Sequence, residues 1–109
     1  MTVSAFVLNA QNDFEEKFFI PIAGEAFFYK CWVPGIQALK LKWLSCFQVG
    51  LDTRLEDLPN LFAELEQLKK WADLNLKGDE KEHFFTRVTL FEEQLPKAFQ
   101  RKDAVVFIG

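Results

Sequence analysis

The stretch DLPNLFAELEQLKKWADLNL, residues 57–76, decides how the rest of the chain must fold. Leu58, Leu61, Leu65, Leu68 and Ala72 recur at steps of three and four, with Phe62 and Trp71 on the flanks. That spacing lays a single apolar stripe along one side of a helix. Glu64, Glu66, Gln67, Lys70 and Asp73 occupy much of the remaining surface, so the helix needs a core on one side only. Asp57 is a suitable N-cap, Pro59 sits in the first turn where its missing amide donor matters little, and Gly78 follows as a stop.

Downstream, Phe84, Val88, Phe91 and Leu95 repeat in steps of four, three and four, with Phe85, Ala98 and Phe99 at the edges of the stripe. A second helix facing the same core is predicted from Glu80 onward. Pro96 removes a backbone donor, which predicts a kink or a short terminal segment near Leu95. Thr86, Val88, Thr89 and Leu90 also suit a strand, so a β-segment at 83–90 is the competing assignment.

Upstream, the apolar runs read as sheet. Val3 to Leu8 is a short run of strand formers closed by Asn9, Asn12 and Asp13. Phe14 to Ile22 alternates and predicts a second strand; Ala26 to Val33 predicts a third, making a hairpin of residues 14–33 that turns near Gly24. Pro34-Gly35 reads as a turn, and Leu41 to Val49 as a fourth strand ending at Gly50. Ala104 to Ile108 reads as a final strand, short enough for a sheet edge or for insertion beside an earlier strand. The expected architecture is α+β: an antiparallel sheet of four to five strands packed on two helices of the C-terminal half, in the order β-β-β-β-α-α-β, as a single domain over residues 1–109.

A chain of 109 residues, 50% hydrophobic, has material for one core. Thirteen Phe, three Trp and one Tyr fill that core or, in part, form an aromatic binding surface. The net charge of −3 and scattered Lys and Arg argue against a nucleic-acid partner and point toward a basic protein. Exposure of Phe19, Phe27 or Tyr29 would favour base stacking instead. Cys31 and Cys46 make no disulfide framework and read as buried free thiols. Nothing resembles a signal peptide or a membrane span, so a cytoplasmic location is expected, with no membrane partner.

His83 is the only histidine, with no Cys at a metal-ligand spacing, and reads as a surface or boundary residue. The acid pairs Glu15/Glu16, Glu56/Asp57, Asp79/Glu80 and Glu92/Glu93 are adjacent, so their side chains project in different directions rather than opposing across a substrate. The five glycines are isolated and open no phosphate-binding loop. No catalytic, cofactor or metal residue is predicted, and the chain is not expected to be an enzyme. The polar connection GLDTRLED offers Asp52, Arg54, Glu56 and Asp57 either as a recognition patch or as an ordinary capped loop.

A strand entering GLDTRLEDLPNLFAELEQLKKW, the segment FFTRVTLFEEQL and the terminal AVVFIG, in a compact acidic chain, resemble small immunity proteins of bacterial polymorphic toxin and contact-dependent inhibition systems. No cofactor is expected, and the resemblance implies a cytoplasmic antitoxin that binds a cognate toxin domain, often a nuclease, and blocks or distorts its active site. It carries over no residue role, because no specific motif matches. On that reading the contacts are Asp52, Arg54, Glu56 and Asp57, joined by Glu15 and Glu16 if the fold brings them near. A homo-oligomeric structural or adaptor domain is the alternative. A small enzyme or ligand module would need a concave pocket with inward-facing His83, Cys31 or carboxylates.

Overall fold

In the computed structural model, which describes residues 2–109, the elements run β1 (Thr2–Val7), α1 (Asp13–Lys17), β2 (Phe19–Gly24), α2 (Glu25–Phe27), a π-helical segment (Phe28–Trp32), α3 (Val33–Leu39), α4 (Lys42–Ser45), β3 (Leu51–Thr53), α5 (Leu58–Asn75), α6 (Gly78–Gln94) and β4 (Val106–Ile108). Short 3-10 turns at Cys46–Gln48, Leu55–Asp57 and Leu95–Ala98 join them. Alternation sets the sheet: β1 buries Val3, Ala5 and Val7 and turns Phe6 outward. The four strands lie in the order β2-β1-β4-β3, every neighbouring pair antiparallel. Helices cover one face, which makes the domain α+β, as expected.

Both long helices follow their stripes. α5 buries Leu58, Leu61, Leu65, Leu68 and Ala72; α6 buries Phe84, Val88 and Phe91, and Leu95 continues the line into the 3-10 turn that holds Pro96. Residues 83–90 are helical throughout, so the competing strand is excluded. Ion pairs tie the layer together, Lys69 reaching Glu92 at 3.0 Å between α5 and α6, and Lys30 reaching Glu80 at 2.7 Å. The first long helix stops at Leu76; Gly78, with φ +59°, opens α6 rather than closing α5.

The N-terminal half departs from expectation at several places. The strand read over 14–22 begins only at Phe19, because Asn12 accepts the Glu15 amide at 2.9 Å and caps a helical turn over Asp13–Lys17. The hairpin over 14–33 is absent: β2 pairs with β1, and Gly24 leads into a helix. The aromatic segment 26–33 has strand propensity, but Phe28, Cys31, Trp32 and Ile36 recur on a helical face and bury there, so tertiary packing overrides propensity. Pro34 sits inside this helix rather than in a turn. It has no amide to donate, and its ring would strike the carbonyl four residues back in a regular α-helix. The π turn before it widens the backbone, with the Val33 amide bonding the Phe28 carbonyl five residues back. Gly35 is a packing residue, since a Cβ there would stand 2.6 Å from Leu68 Cδ1 and from Trp71 Cε3 of α5.

The strand expected over 41–49 is α4 plus a 3-10 turn, and Leu41, Leu44 and Phe47 bury at three-residue steps. β3 lies just beyond, at Leu51–Thr53, in the stretch read as a connection. What makes α4 a helix comes from elsewhere in the chain. The Glu64 carboxylate of α5 accepts the amides of Lys42, Trp43 and Leu44 at 3.1, 3.1 and 2.9 Å. These are the orphan donors of a helix start, satisfied by a charged acceptor. Glu64→Ala is expected to lower stability by about 2 kcal/mol. Urea unfolding measures the loss, and faster amide exchange confined to 42–44 marks its origin.

Among the described residues, no helix is long and apolar enough to cross a membrane.

Candidate functional site

The sheet face opposite the helices is open, and its centre is aromatic. Phe6 of β1 stands directly opposite Phe19 of β2 on one side and Phe107 of β4 on the other; Phe107 in turn stands opposite Asp52 of β3. One cross-strand row therefore reads Phe19, Phe6, Phe107, Asp52 across all four strands. Phe6 is 38% exposed, Phe19 59% and Leu8, one step along the same face, 49%. Phe6 and Phe107 pack with ring centroids 5.4 Å apart. Phe107 lies across two glycines: a Cβ on Gly50 would stand 2.6 Å from its ring, and one on Gly109 2.9 Å. Backbone bonds between Ser4 and Gly109, at 3.2 and 3.0 Å, extend the β1–β4 ladder beneath the ring.

The two borders of this face differ. At the β3 border Asp52 is exposed, as are Arg54 and Glu56 in the turn that follows. Asp57 is committed to that turn: its carboxylate accepts the Arg54 amide at 2.9 Å, and its own amide bonds the Arg54 carbonyl at 3.0 Å. Of the predicted patch, Asp52, Arg54 and Glu56 are free to meet a partner, and Asp57 does capping work. At the β2 border α6 packs alongside, and the Arg87 guanidinium donates to the Pro21 carbonyl at 3.2 Å. Arg87 and His83 form one wall of a groove of about 250 Å³ whose other walls include Ser4, Pro21 and Phe19. His83 is exposed and meets the ring of Phe27 edge-on, with centroids 4.7 Å apart.

Glu15 and Glu16 part company. Glu16 is exposed on α1, whereas Glu15 is 1% exposed. Arg101 grips the Glu15 carboxylate through Nε and Nη2, at 3.0 Å each at closest, and also holds Asp103 at 2.8 Å and the Asn9 carbonyl. The Gln11 amide adds a further bond to Glu15 at 2.9 Å. Glu15 is thus a clasp between the α1 segment and the turn before β4, closed to any partner. Val7 and Thr53 both pair with Val106, so the α1 segment and the 52–57 connection lie at the same end of the sheet.

The Arg101 hydrogen bonds, followed by the Gln11 amide, hold the Glu15 carboxyl below its ordinary 4.5 against the opposing effect of burial. A carboxylate with a depressed folded pKa stabilises above the unfolded pKa and loses that contribution as pH falls through the folded one. Asp103, depressed by the same guanidinium, acts in the same direction. Urea midpoints are expected to drop as pH is lowered below about 4.5, and Glu15→Gln is expected to flatten that acid limb while lowering stability at neutral pH.

Phe6 and Phe107 are the members of the face that sequence reasoning did not single out. The signal in β1 is phase: Phe6 falls out of step with Val3, Ala5 and Val7. Phe19, named from the sequence as a ring whose exposure matters, is the most exposed of the three rings, while Tyr29 is exposed and Phe27 half-buried on the helix that follows β2. Cys31 is buried, where desolvation pushes its thiol pKa up, and Cys46 is half-buried. Among the described residues no group of three or more His, Cys, Asp or Glu side chains is placed to hold a metal ion. Comparison with protein-family models, curated proteins and solved structures returned no match.

Proposed function

We propose that the chain is a cytoplasmic protein-binding inhibitor, an immunity protein that neutralises a basic toxin domain such as a nuclease, and that it docks through the open sheet face. The observation carrying this reading is the cross-strand row of Phe19, Phe6 and Phe107 ending at exposed Asp52. Rigid aromatics on a sheet present apolar area at little conformational-entropy cost, and such side chains are the usual anchors of protein interfaces. Asp52 and Glu56 beside them, in a chain of net charge −3, would steer a basic partner and set its register. The strands beneath hold the anchors in place before the partner arrives, which favours affinity through pre-organisation.

The test begins with capture of partners from the native cytoplasm and from neighbouring secreted proteins, then measures the captured protein's activity and affinity. A basic protein whose activity is blocked by the wild type is expected. Phe6→Ala with Phe19→Ala should weaken its binding by at least about a hundredfold. Asp52→Lys with Glu56→Lys should slow association and lessen its salt dependence. A partner whose affinity survives all four substitutions in folded protein would overturn the docking surface, and a captured partner whose activity is unaffected would overturn inhibition.

A further inference from the structure

The open face carries opposite, uncompensated charges at its two borders. Among the described residues the Asp52 side chain makes no ion pair or hydrogen bond, and the Arg87 side chain bonds only the Pro21 carbonyl. The acid is on β3 and the guanidinium lies alongside β2, the two edge strands of the sheet. From these observations we infer that, before a partner arrives, the face is closed by a second copy of this chain, Asp52 of each copy pairing with Arg87 of the other; this inference rests on the reading of the face as the docking surface.

The geometry is self-complementary. A two-fold axis running along the strands between β1 and β4 lays β3 of one copy over β2 of the other. The same operation sets Phe6 of one copy over Phe107 of its mate, and Phe107 over Phe6. Asp52 comes down at the level of Phe19, which lines the same groove as Arg87. Such a contact is isologous and closes at two copies. Face-to-face sheets pack about 10 Å apart, which the three rings fill from both sides.

Size explains why this closure yields. Strands about 4.8 Å apart that rise about 3.4 Å per residue, six residues each in β1 and β2 and three each in β3 and β4, give a face of roughly 300 Å² per copy, well under half the usual 800 Å² per partner of a standard interface. The dimer is therefore a weak, concentration-dependent cap. A partner that also engages Arg54 and Glu56 beyond the sheet gains contacts the second copy lacks and displaces it, so dimerisation and partner binding exclude one another.

Sedimentation equilibrium of the whole chain over a wide concentration range, with no partner present, tests the cap. The wild type is expected to pass from monomer to dimer as concentration rises. Asp52→Arg and Arg87→Asp should each weaken dimerisation by at least about tenfold, since each sets like charges together. Both positions lie at the rim, and circular dichroism checks that the variants fold. An equimolar mixture of the two variants should dimerise again, because the new arginine of one meets the new aspartate of the other while native Asp52 meets native Arg87. A wild type that stays monomeric throughout, single variants that dimerise undiminished, or a mixture that fails to recover would each overturn the inference. A monomeric wild type whose inhibited partner still depends on Phe6 and Phe19 would overturn the dimer and leave the docking surface standing.

Discussion

Trp32→Ala is expected to lower the unfolding free energy by about 4 kcal/mol, a large share of the roughly 5–15 kcal/mol that holds a domain together. Trp32 is 0% exposed and is the hub of the aromatic core. Its ring stacks on Phe28 at 5.6 Å and meets Phe84 at 5.1 Å and Phe47 at 6.3 Å, so it joins the π-helical segment, the 3-10 turn after α4, and α6. Removing the indole leaves a cavity whose walls belong to three elements and cannot all move inward together. Trp32→Phe should cost far less, about 1 kcal/mol. The indole Nε1 is buried and finds no acceptor among the described residues, so phenylalanine removes an orphan donor that itself costs about 1–3 kcal/mol. Urea unfolding at unchanged m-value measures both. Losses that scale simply with the side-chain volume removed would show that volume alone decides and that the donor carries no penalty.

Gly50→Ala is expected to cost about 3 kcal/mol, from two separable causes. Gly50 has φ +112°, a conformation that residues with a Cβ adopt only under strain. The same Cβ would stand 2.6 Å from Phe107 Cζ, so the ring must lift from the sheet. Adding Phe107→Ala should restore the steric share and leave the backbone share. A double-mutant cycle therefore gives a coupling of about 1–2 kcal/mol between positions 50 and 107. Strict additivity would show that the ring moves aside freely and that all of the loss is backbone strain. The glycine is also functional in the proposed reading, because it seats one of the three rings of the docking face.

The long helices were legible because their information is local. Leu58, Leu61, Leu65, Leu68 and Ala72 repeat on one side against polar residues on the other, and no distant contact is needed to read them. The 26–33 segment was not legible, because Phe27, Phe28, Cys31, Trp32 and Val33 place apolar groups all round and blur the period. Nor was α4, whose cap is a carboxylate 22 residues further along. The site divides the same way. Exposed Asp52, Arg54 and Glu56 follow from a polar, turn-rich stretch. The fates of adjacent Glu15 and Glu16 depend on Arg101, 86 residues from Glu15. The facing of Phe6 and Phe107 depends on a register between strands about a hundred residues apart.

That distant pairing governs how the molecule can be made. Among the described residues β4 is the one strand that joins β1 to β3, yet it follows every other element in the sequence. A nascent chain can form the β1–β2 pair and both long helices on the ribosome, but β3 has no neighbour and β1 keeps one open flank until residues 106–108 emerge. Closing the gap spans nearly the whole sequence, so folding is expected to be slow for the chain's size, with a late step that links the two parts of the sheet. Until then the unpaired flanks of β1 and β3 are sticky strand edges, open to pairing with other chains.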